Sequence, residues 1–350
     1  MKLIIPVAGS STRYQGMRPK WMLTLPDGKL MIEECIKGID FTNIEEIVII
    51  ALEEHIKESN FNINYLINRF EKLYLKTTKI DLLNDQTISQ PMTIAKYLGE
   101  QENDFPFYIK DCDNYFIDKP EANDSVAFVS LNELNLVAAS NKSYIKINHF
   151  NEIEQIQEKE IISDTFCVGG YSFKSSKSFL KSFESLDGYN NNSLYVSHII
   201  QNQILNGTRF TSTRIQNYID YGTSNEFFLE THKASTLLCD FDGVIVKNSS
   251  KFSKNPWSYI PIKENIKSLK NTLGKSASSQ LIITTSRPFE EKENINKFCK
   301  ENGLNVKQII TGLPHCKRYL INDFSNSNPY PSATAINLPR NSETLDHYLP

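Results

Sequence analysis

Short apolar runs alternate with longer amphipathic stretches along this chain, and that alternation commits it to an α/β fold, because parallel strands need a crossover helix between them. Residues 1–7, 47–52, 79–83 and 105–110 read as strands, and 30–39, 58–72 and a segment opening at 93–98 read as helices. Strand-like runs continue at 125–131, 136–139, 144–147, 166–173 and 212–219, with helical spacing at 176–185, 194–206 and 226–233. At Ala234-Ser235-Thr236 the pattern restarts. A fresh buried run at 237–239 is followed by a helix at 262–273, a strand at 281–284, a helix at 290–302 and strands at 306–310 and 318–321. This predicts two α/β domains, residues 1–233 and 234–350.

Composition narrows the function classes. With 350 residues, 40% of them apolar and 23% charged, each domain has enough apolar material for an ordinary core. A formal net charge of −3 argues against a nucleic-acid partner, which favours a basic surface. No apolar run approaches the roughly 20 residues that cross a bilayer, so no membrane insertion is expected. The N-terminal Met1-Lys2-Leu3-Ile4-Ile5-Pro6 is too short an apolar stretch for a signal peptide. Six cysteines are scattered without a CxxC, which predicts reduced thiols and a cytoplasmic location. The six histidines have no ligand spacing, and Trp21 and Trp257 read as packing anchors.

The first strand runs into Ala8-Gly9-Ser10-Ser11-Thr12-Arg13. A turn of small residues lets backbone N–H groups approach a triphosphate, and its hydroxyls add donors. It is neither GxxxxGK[ST] nor GxGxxG. Arg13 and the following Arg18-Pro19-Lys20 place cations where they can neutralise a leaving pyrophosphate. The plain alternative for each is a tight connection and solvated surface charge.

These residues resemble the sugar-phosphate nucleotidyltransferases, whose first strand enters an A-G-x-[GS]-[ST]-R loop followed by a Pro-Lys pair. Ser11 stands where that family commonly has Gly, and Met17-Arg18-Pro19-Lys20-Trp21-Met22-Leu23 resembles a branch met in capsule and surface-polysaccharide clusters. The resemblance covers roughly residues 1–230. It implies a Rossmann-like domain with a mixed, mostly parallel sheet, in which Ala8, Gly9, Ser10, Ser11 and Thr12 bind the nucleotide and Arg13 and Lys20 are catalytic. It implies two Mg²⁺ ligands. One is Asp113 of Lys110-Asp111-Cys112-Asp113, preferred by register to Asp111; the other is Asp220 of Tyr218-Ile219-Asp220-Tyr221-Gly222-Thr223, which resembles W-x-D-x-G-T. Gln90 of Gln90-Pro91-Met92-Thr93 would contact the base, and Lys159 of Glu158-Lys159 the sugar phosphate. Gly170, in Cys167-Val168-Gly169-Gly170-Tyr171-Ser172-Phe173, would line the sugar pocket.

The second domain opens with Asp240-Phe241-Asp242-Gly243-Val244 directly after an apolar strand. Two acids at i and i+2 at the mouth of a sheet can share Mg²⁺, one acting as nucleophile and the other as acid/base; the plain alternative is an acidic turn. The segment resembles the haloacid dehalogenase (HAD) superfamily. That resemblance implies Asp240 as nucleophile and metal ligand, Asp242 as acid/base, and Thr285 of Ile282-Ile283-Thr284-Thr285-Ser286-Arg287 as a phosphate contact. It further implies Lys317, with Lys307 as the alternative, as the phosphate lysine, and Asp323 as a metal acid, with Asn322 where the family commonly has a second acid. The short stretch between Val244 and Gln280 predicts a small, capless HAD-like Rossmannoid domain.

Together these features predict a bifunctional enzyme. Its first domain would condense an NTP, with CTP favoured, and a sugar or polyol phosphate to give an activated product and pyrophosphate for surface-glycan synthesis. The partners are then the NTP and the phosphorylated acceptor, Mg²⁺ is the cofactor, and the sequence leaves room for a homo-oligomer. Two rival readings stand beside it. In one the HAD-like domain is the main activity and the N-terminal domain a binding module; in the other the tail is non-catalytic and serves assembly.

Overall fold

Apolar runs without polar alternation are those that a parallel sheet covers on both faces. In the computed structural model, which describes residues 1–9, 14, 16–134, 139–186, 194–254, 256–323 and 332–349, Lys2–Pro6 forms β1 and Glu46–Leu52 forms β2, the latter buried along its whole length after Glu46. Between them lies helix α1, Met31–Lys37. The helix expected over 58–72 is two, α2 (Glu53–Glu58) and α3 (Ile63–Tyr74). Asn60 takes the left-handed φ of 46° between them, and the Asn62 side chain accepts from Tyr65 N at 3.0 Å as the cap of α3. Thr77–Leu83 forms β3, Gln90–Gly99 forms α4 and Phe107–Lys110 forms β4.

Strands β3-β2-β1-β4 pair in that order, all parallel. Successive side chains of a strand point to opposite faces, and the two cores show it. Leu3, Ile5, Ile47 and Ile49 pack with Cys35, Ile36, Leu66 and Phe70 on one side. Ile4, Val48, Ile50, Phe107 and Ile109 pack with Ile94, Leu98, Phe179, Ile199 and Ile200 on the other.

Beyond β4 the sheet turns mixed. The later elements are β5 (Asn114–Ile117), β6 (Ser125–Ser130), β7 (Ser143–Ile147), β8 (Ile153–Glu158), β9 (Thr165–Phe173), α5 (Ser176–Leu186), α6 (Val196–Leu205), β10 (Thr211–Arg214), β11 (Gln216–Asp220) and α7 (Ser224–Thr231). The main sheet has the order β10-β6-β9-β4-β1-β2-β3, with β9 antiparallel to both β4 and β6 and a β7–β8 hairpin leaning on β9. β5 and β8 are strands that periodicity does not reveal. The run at 212–219, expected as one strand, is divided. β10 stays in the main sheet, while β11 leaves it to pair antiparallel with β5, with Asn217 at a left-handed φ of 55°. The strand expected at 136–139 falls mostly outside the described residues.

The chain divides into two compact units, Met1–Glu226 and Phe227–Pro350. The second holds β12 (Thr236–Asp240), α8 (Lys263–Leu273), β13 (Gln280–Thr284), α9 (Lys292–Glu301) and β14 (Val306–Ile310). Its three strands are parallel in the order β12-β13-β14, over a core that includes Phe241, Leu269, Ile283, Ile295 and Phe298. The strand expected at 318–321 does not form: Tyr319, Leu320 and Ile321 are exposed, and among the described residues no strand pairs with the other edge of β12. A strand without a ladder partner has neither its backbone hydrogen bonds nor its burial.

Candidate functional site

Ligands of open α/β sheets bind beyond the carboxyl ends of the strands. There, β1 runs into Val7, Ala8 and Gly9 and β4 into Asp111, Cys112 and Asp113, and all six residues line one cavity of about 400 Å³. That is a volume suited to a small ligand. Lys20, Gln90, Lys142, Glu158, Gly169, Tyr218 and Asp220 complete the wall that matters chemically. Ser10, Ser11, Thr12 and Arg13 lie outside the described residues.

The β5–β11 ribbon is what brings two distant acids together. Asp220 is the register partner of Asn114, and Tyr221 N donates to Asp113 O at 2.8 Å. Each acid meets a lysine: Lys20 Nζ lies 2.5 Å from Asp113 Oδ2, and Lys142 Nζ pairs with Asp220 Oδ2 while also reaching the Tyr218 hydroxyl at 3.0 Å. Gly222 N donates to Asp220 Oδ1 at 2.9 Å. Burial first, and the Asp220 charge second, push the Tyr218 phenol well above its ordinary value. The Tyr14 phenol, raised by burial and then by Asp113, donates to the carbonyls of Tyr221 and Thr223, which ties the segment after the first loop to the turn carrying Asp220.

Asp111 and Lys110 brace this wall from beneath. Lys110 is wholly buried, and its ammonium donates to Asp111 O at 2.8 Å and to Asn114 O at 3.0 Å, which clamps the loop that carries Asp113. Burial lowers its pKa. Asp111 Oδ1 accepts from Gln90 Nε2 at 2.5 Å, so Gln90 is held at the wall by the acid that the sequence argument set aside. Burial and then the Asp113 charge raise the Asp111 pKa. α4 positions Gln90: its cap Ser89 accepts from Met92 N at 3.3 Å, and Pro91 sits in the first turn.

At the other end Glu158 Oε2 accepts from the hydroxyls of Ser143 and, at 2.8 Å, Ser197. Lys159 is exposed at the end of the β7–β8 hairpin, its ammonium 4.5 Å from the centre of the Tyr195 ring, and it does not line the cavity. Gly170 does not line it either; a Cβ there would meet the Tyr108 hydroxyl at 2.2 Å, inside the core. Its neighbour Gly169 forms the wall instead. Lys142, Lys110, Ser197 and Tyr14 are site residues that sequence reasoning did not single out. Lys142 could have been found only from the β7–β8 register, which places Ser143 opposite Glu158.

Asp113 and Asp220 both present carboxylates to the one cavity, a donor set that suits a hard divalent cation sharing its shell with substrate phosphates. The described residues contain no cluster of three or more His, Cys, Asp or Glu fit to hold a metal by themselves.

The second unit arranges its acids differently. Asp242 is gripped by the buried Arg287, whose Nη2 lies 2.8 Å from Oδ1, and it accepts from Thr285 Oγ1 at 3.0 Å. The guanidinium sits among the rings of Phe241, Tyr259 and Trp257 at 4.8, 4.6 and 5.5 Å. Asp240 ends β12 in register with Thr284 and meets Arg318 at 3.4 Å; its pKa is raised by burial, against the pull of Arg318. Lys317 and Asp323 are on the exposed stretch outside any strand, where the Lys317 ammonium lies 5.2 Å from the Tyr319 ring. The strand expected at 318–321 was to carry Lys317 and Asp323 towards Asp240, and the described residues there form no strand.

No protein-family model matches this chain, and no curated protein matches it. Solved structures do. A nucleoside-diphosphate-sugar pyrophosphorylase from Vibrio cholerae RC9 superposes with a TM-score of 0.55 at 18% identity, over 64% of this chain and 97% of that one. An inositol-1-phosphate CTP transferase from T. maritima gives 0.51 at 12% identity, over 64% and 90%. A UDP-glucose pyrophosphorylase complexed with UDP-glucose gives 0.50 at 16% identity, over 65% and 96%. At these identities the likeness establishes the fold alone, a Rossmann-like α/β domain shared with those structures. The share covered equals that of the first unit, 226 of 350 residues. No helix among the described residues is long and apolar enough to cross a membrane.

Proposed function

We propose that the first unit is a nucleotidyltransferase that joins an NTP to a sugar or polyol phosphate and releases pyrophosphate. The observation that carries this reading is the single cavity in which the turn after β1, Lys20, Asp113 and Asp220 converge. The fold neighbours named above, two pyrophosphorylases and a CTP transferase by name, support it. In the proposed reaction a phosphate oxygen of the acceptor attacks the α-phosphorus in line, and the bond from that phosphorus to the β-bridging oxygen breaks. Pyrophosphate leaves with the electron pair. The acceptor oxygen is already anionic, so alignment and charge neutralisation suffice without a general base. Lys20 takes up charge on the departing phosphates, and Gln90, fixed by Asp111, faces the nucleotide. Asp113 and Asp220 would hold Mg²⁺, which when bound would supply charge stabilisation to the triphosphate.

CTP is the nucleotide we favour, and surface-glycan synthesis the setting, on the resemblance of residues 17–23 and on the CTP transferase among the fold neighbours. The test is pyrophosphate release from CTP, UTP, GTP, ATP and dTTP against a panel of sugar and polyol phosphates. Release with one pair, lost in Asp113→Ala and Asp220→Ala, is expected; release that survives both substitutions removes the reading.

For the second unit we propose a HAD-like phosphate-ester site with Asp240 as nucleophile, supported by Asp240 ending β12 and Thr285 directly following the end of the parallel neighbour β13. Asp242 there is an anchor engaged by Arg287, and Lys317 and Asp323 stand away. Phosphate release from p-nitrophenyl phosphate, lost in Asp240→Asn, is the expected result. Its absence in the wild type selects the assembly role.

A further inference from the structure

Two lysines end the β7–β8 hairpin as cross-strand neighbours, since Lys159 N donates to Lys142 O at 2.9 Å. Their side chains part there. Lys159 lies outward on Tyr195, with φ at a left-handed 57°, while Lys142 turns into the cavity and keeps only 14% of its side chain exposed. Asp220, its partner, is 11% exposed. A carboxylate so withdrawn from water needs a counter-charge in the free protein, because an uncompensated buried charge is costly. Lys142 supplies it, and Tyr218 steadies the ammonium from the side. An ammonium and a divalent cation cannot both occupy the approach to the same carboxylate oxygen.

We propose that Lys142 is the resident counter-ion of Asp220, a positioning residue that must be displaced before a divalent cation can take that carboxylate. This rests on the reading of Asp113 and Asp220 as the cation's ligands. Its consequence is that the free protein binds the cation poorly. The cation then engages Asp220 when phosphates arrive to receive the displaced ammonium, so an unliganded enzyme does not hold a charged metal facing water.

The experiment is a Mn²⁺ titration of the full chain without nucleotide, read as free Mn²⁺ by electron paramagnetic resonance. Lys142→Met is expected to bind Mn²⁺ at least tenfold more tightly than wild type, and Lys142→Arg to stay within a few-fold of wild type. Tightening that also requires Asp220 separates a freed carboxylate from Mn²⁺ bound by a damaged fold. Lys142→Met binding no tighter than wild type overturns the proposal. The double variant Lys142→Met/Asp220→Asn separates the two levels. Loss of the gained affinity supports the proposal, whereas its persistence places the cation elsewhere and overturns the ligand assignment together with the proposal.

Discussion

Replacing Gly169 with Ala tests how the cavity wall is built. Gly169 has φ of 79°, and a Cβ added there would meet Asp111 Oδ2 at 2.3 Å and Asp111 Cβ at 2.6 Å. Two costs follow. An L-residue in the left-handed region loses about 1–2 kcal/mol. Forcing the Asp111 side chain aside adds about 1–3 kcal/mol of overpacking, for a total of roughly 2–5 kcal/mol in the first unit. A double-mutant cycle with Asp111→Gly divides them, because removing the Asp111 side chain abolishes the collision and leaves the backbone term. The expected coupling is about 1–3 kcal/mol, well beyond the roughly 0.5 kcal/mol scatter of independent sites. The chain has two tryptophans, Trp21 in the first unit and Trp257 in the second. Urea unfolding by fluorescence in a Trp257→Phe background therefore reports the first unit, because Trp21 is buried there. Additive costs for Gly169→Ala and Asp111→Gly would refute the contact, and a Gly169→Ala cost under about 1 kcal/mol would refute the backbone argument as well.

Other outcomes follow from the same structure. Of the six cysteines Cys316 is exposed and the others buried, with burial pushing the Cys112 and Cys299 thiols up to about 12; a thiol reagent should label one site quickly in the native protein and the rest only in urea. Arg287→Met should destabilise the second unit by about 3–5 kcal/mol, because it leaves Asp242 without its buried partner; calorimetry of the full chain would show whether the first unit's transition stays put. Burial raises the Asp118 pKa above its ordinary 3.8, although the Tyr108 hydroxyl donates to it at 2.6 Å. The folded state therefore holds this proton more tightly than the unfolded one, a contribution fully present below the unfolded value and lost as pH rises through the folded one. Asp118→Asn should flatten that part of the stability–pH curve, and an unchanged curve would contradict the assignment.

What the sequence showed depended on how local the signal was. Unbroken apolar runs such as 47–52 mark parallel strands because burial on both faces leaves no room for polar alternation, whereas the helix read as opening at 93 starts earlier, at Gln90 behind its cap Ser89. The convergence of Asp220 and Asp113 on one cavity was implied by the family resemblance alone, because no local pattern carries it. It depends on the run at 212–219 dividing, so that β11 pairs with a four-residue strand too short to carry a period. Lys142 was hidden for the same reason: only hairpin register distinguishes the lysine that points inward from Lys159. Residues 318–321 have the composition of a strand, but composition does not provide a ladder partner, and in the structure they stay exposed.

The central claim is tested most directly by following each phosphorus of the NTP. With α-labelled CTP and the accepted sugar or polyol phosphate, the label should appear in a phosphatase-resistant nucleotide–acceptor conjugate, and γ-label should appear wholly in pyrophosphate. Label from the γ-position in the acceptor, or in orthophosphate before pyrophosphate, would contradict nucleotidyl transfer at this cavity.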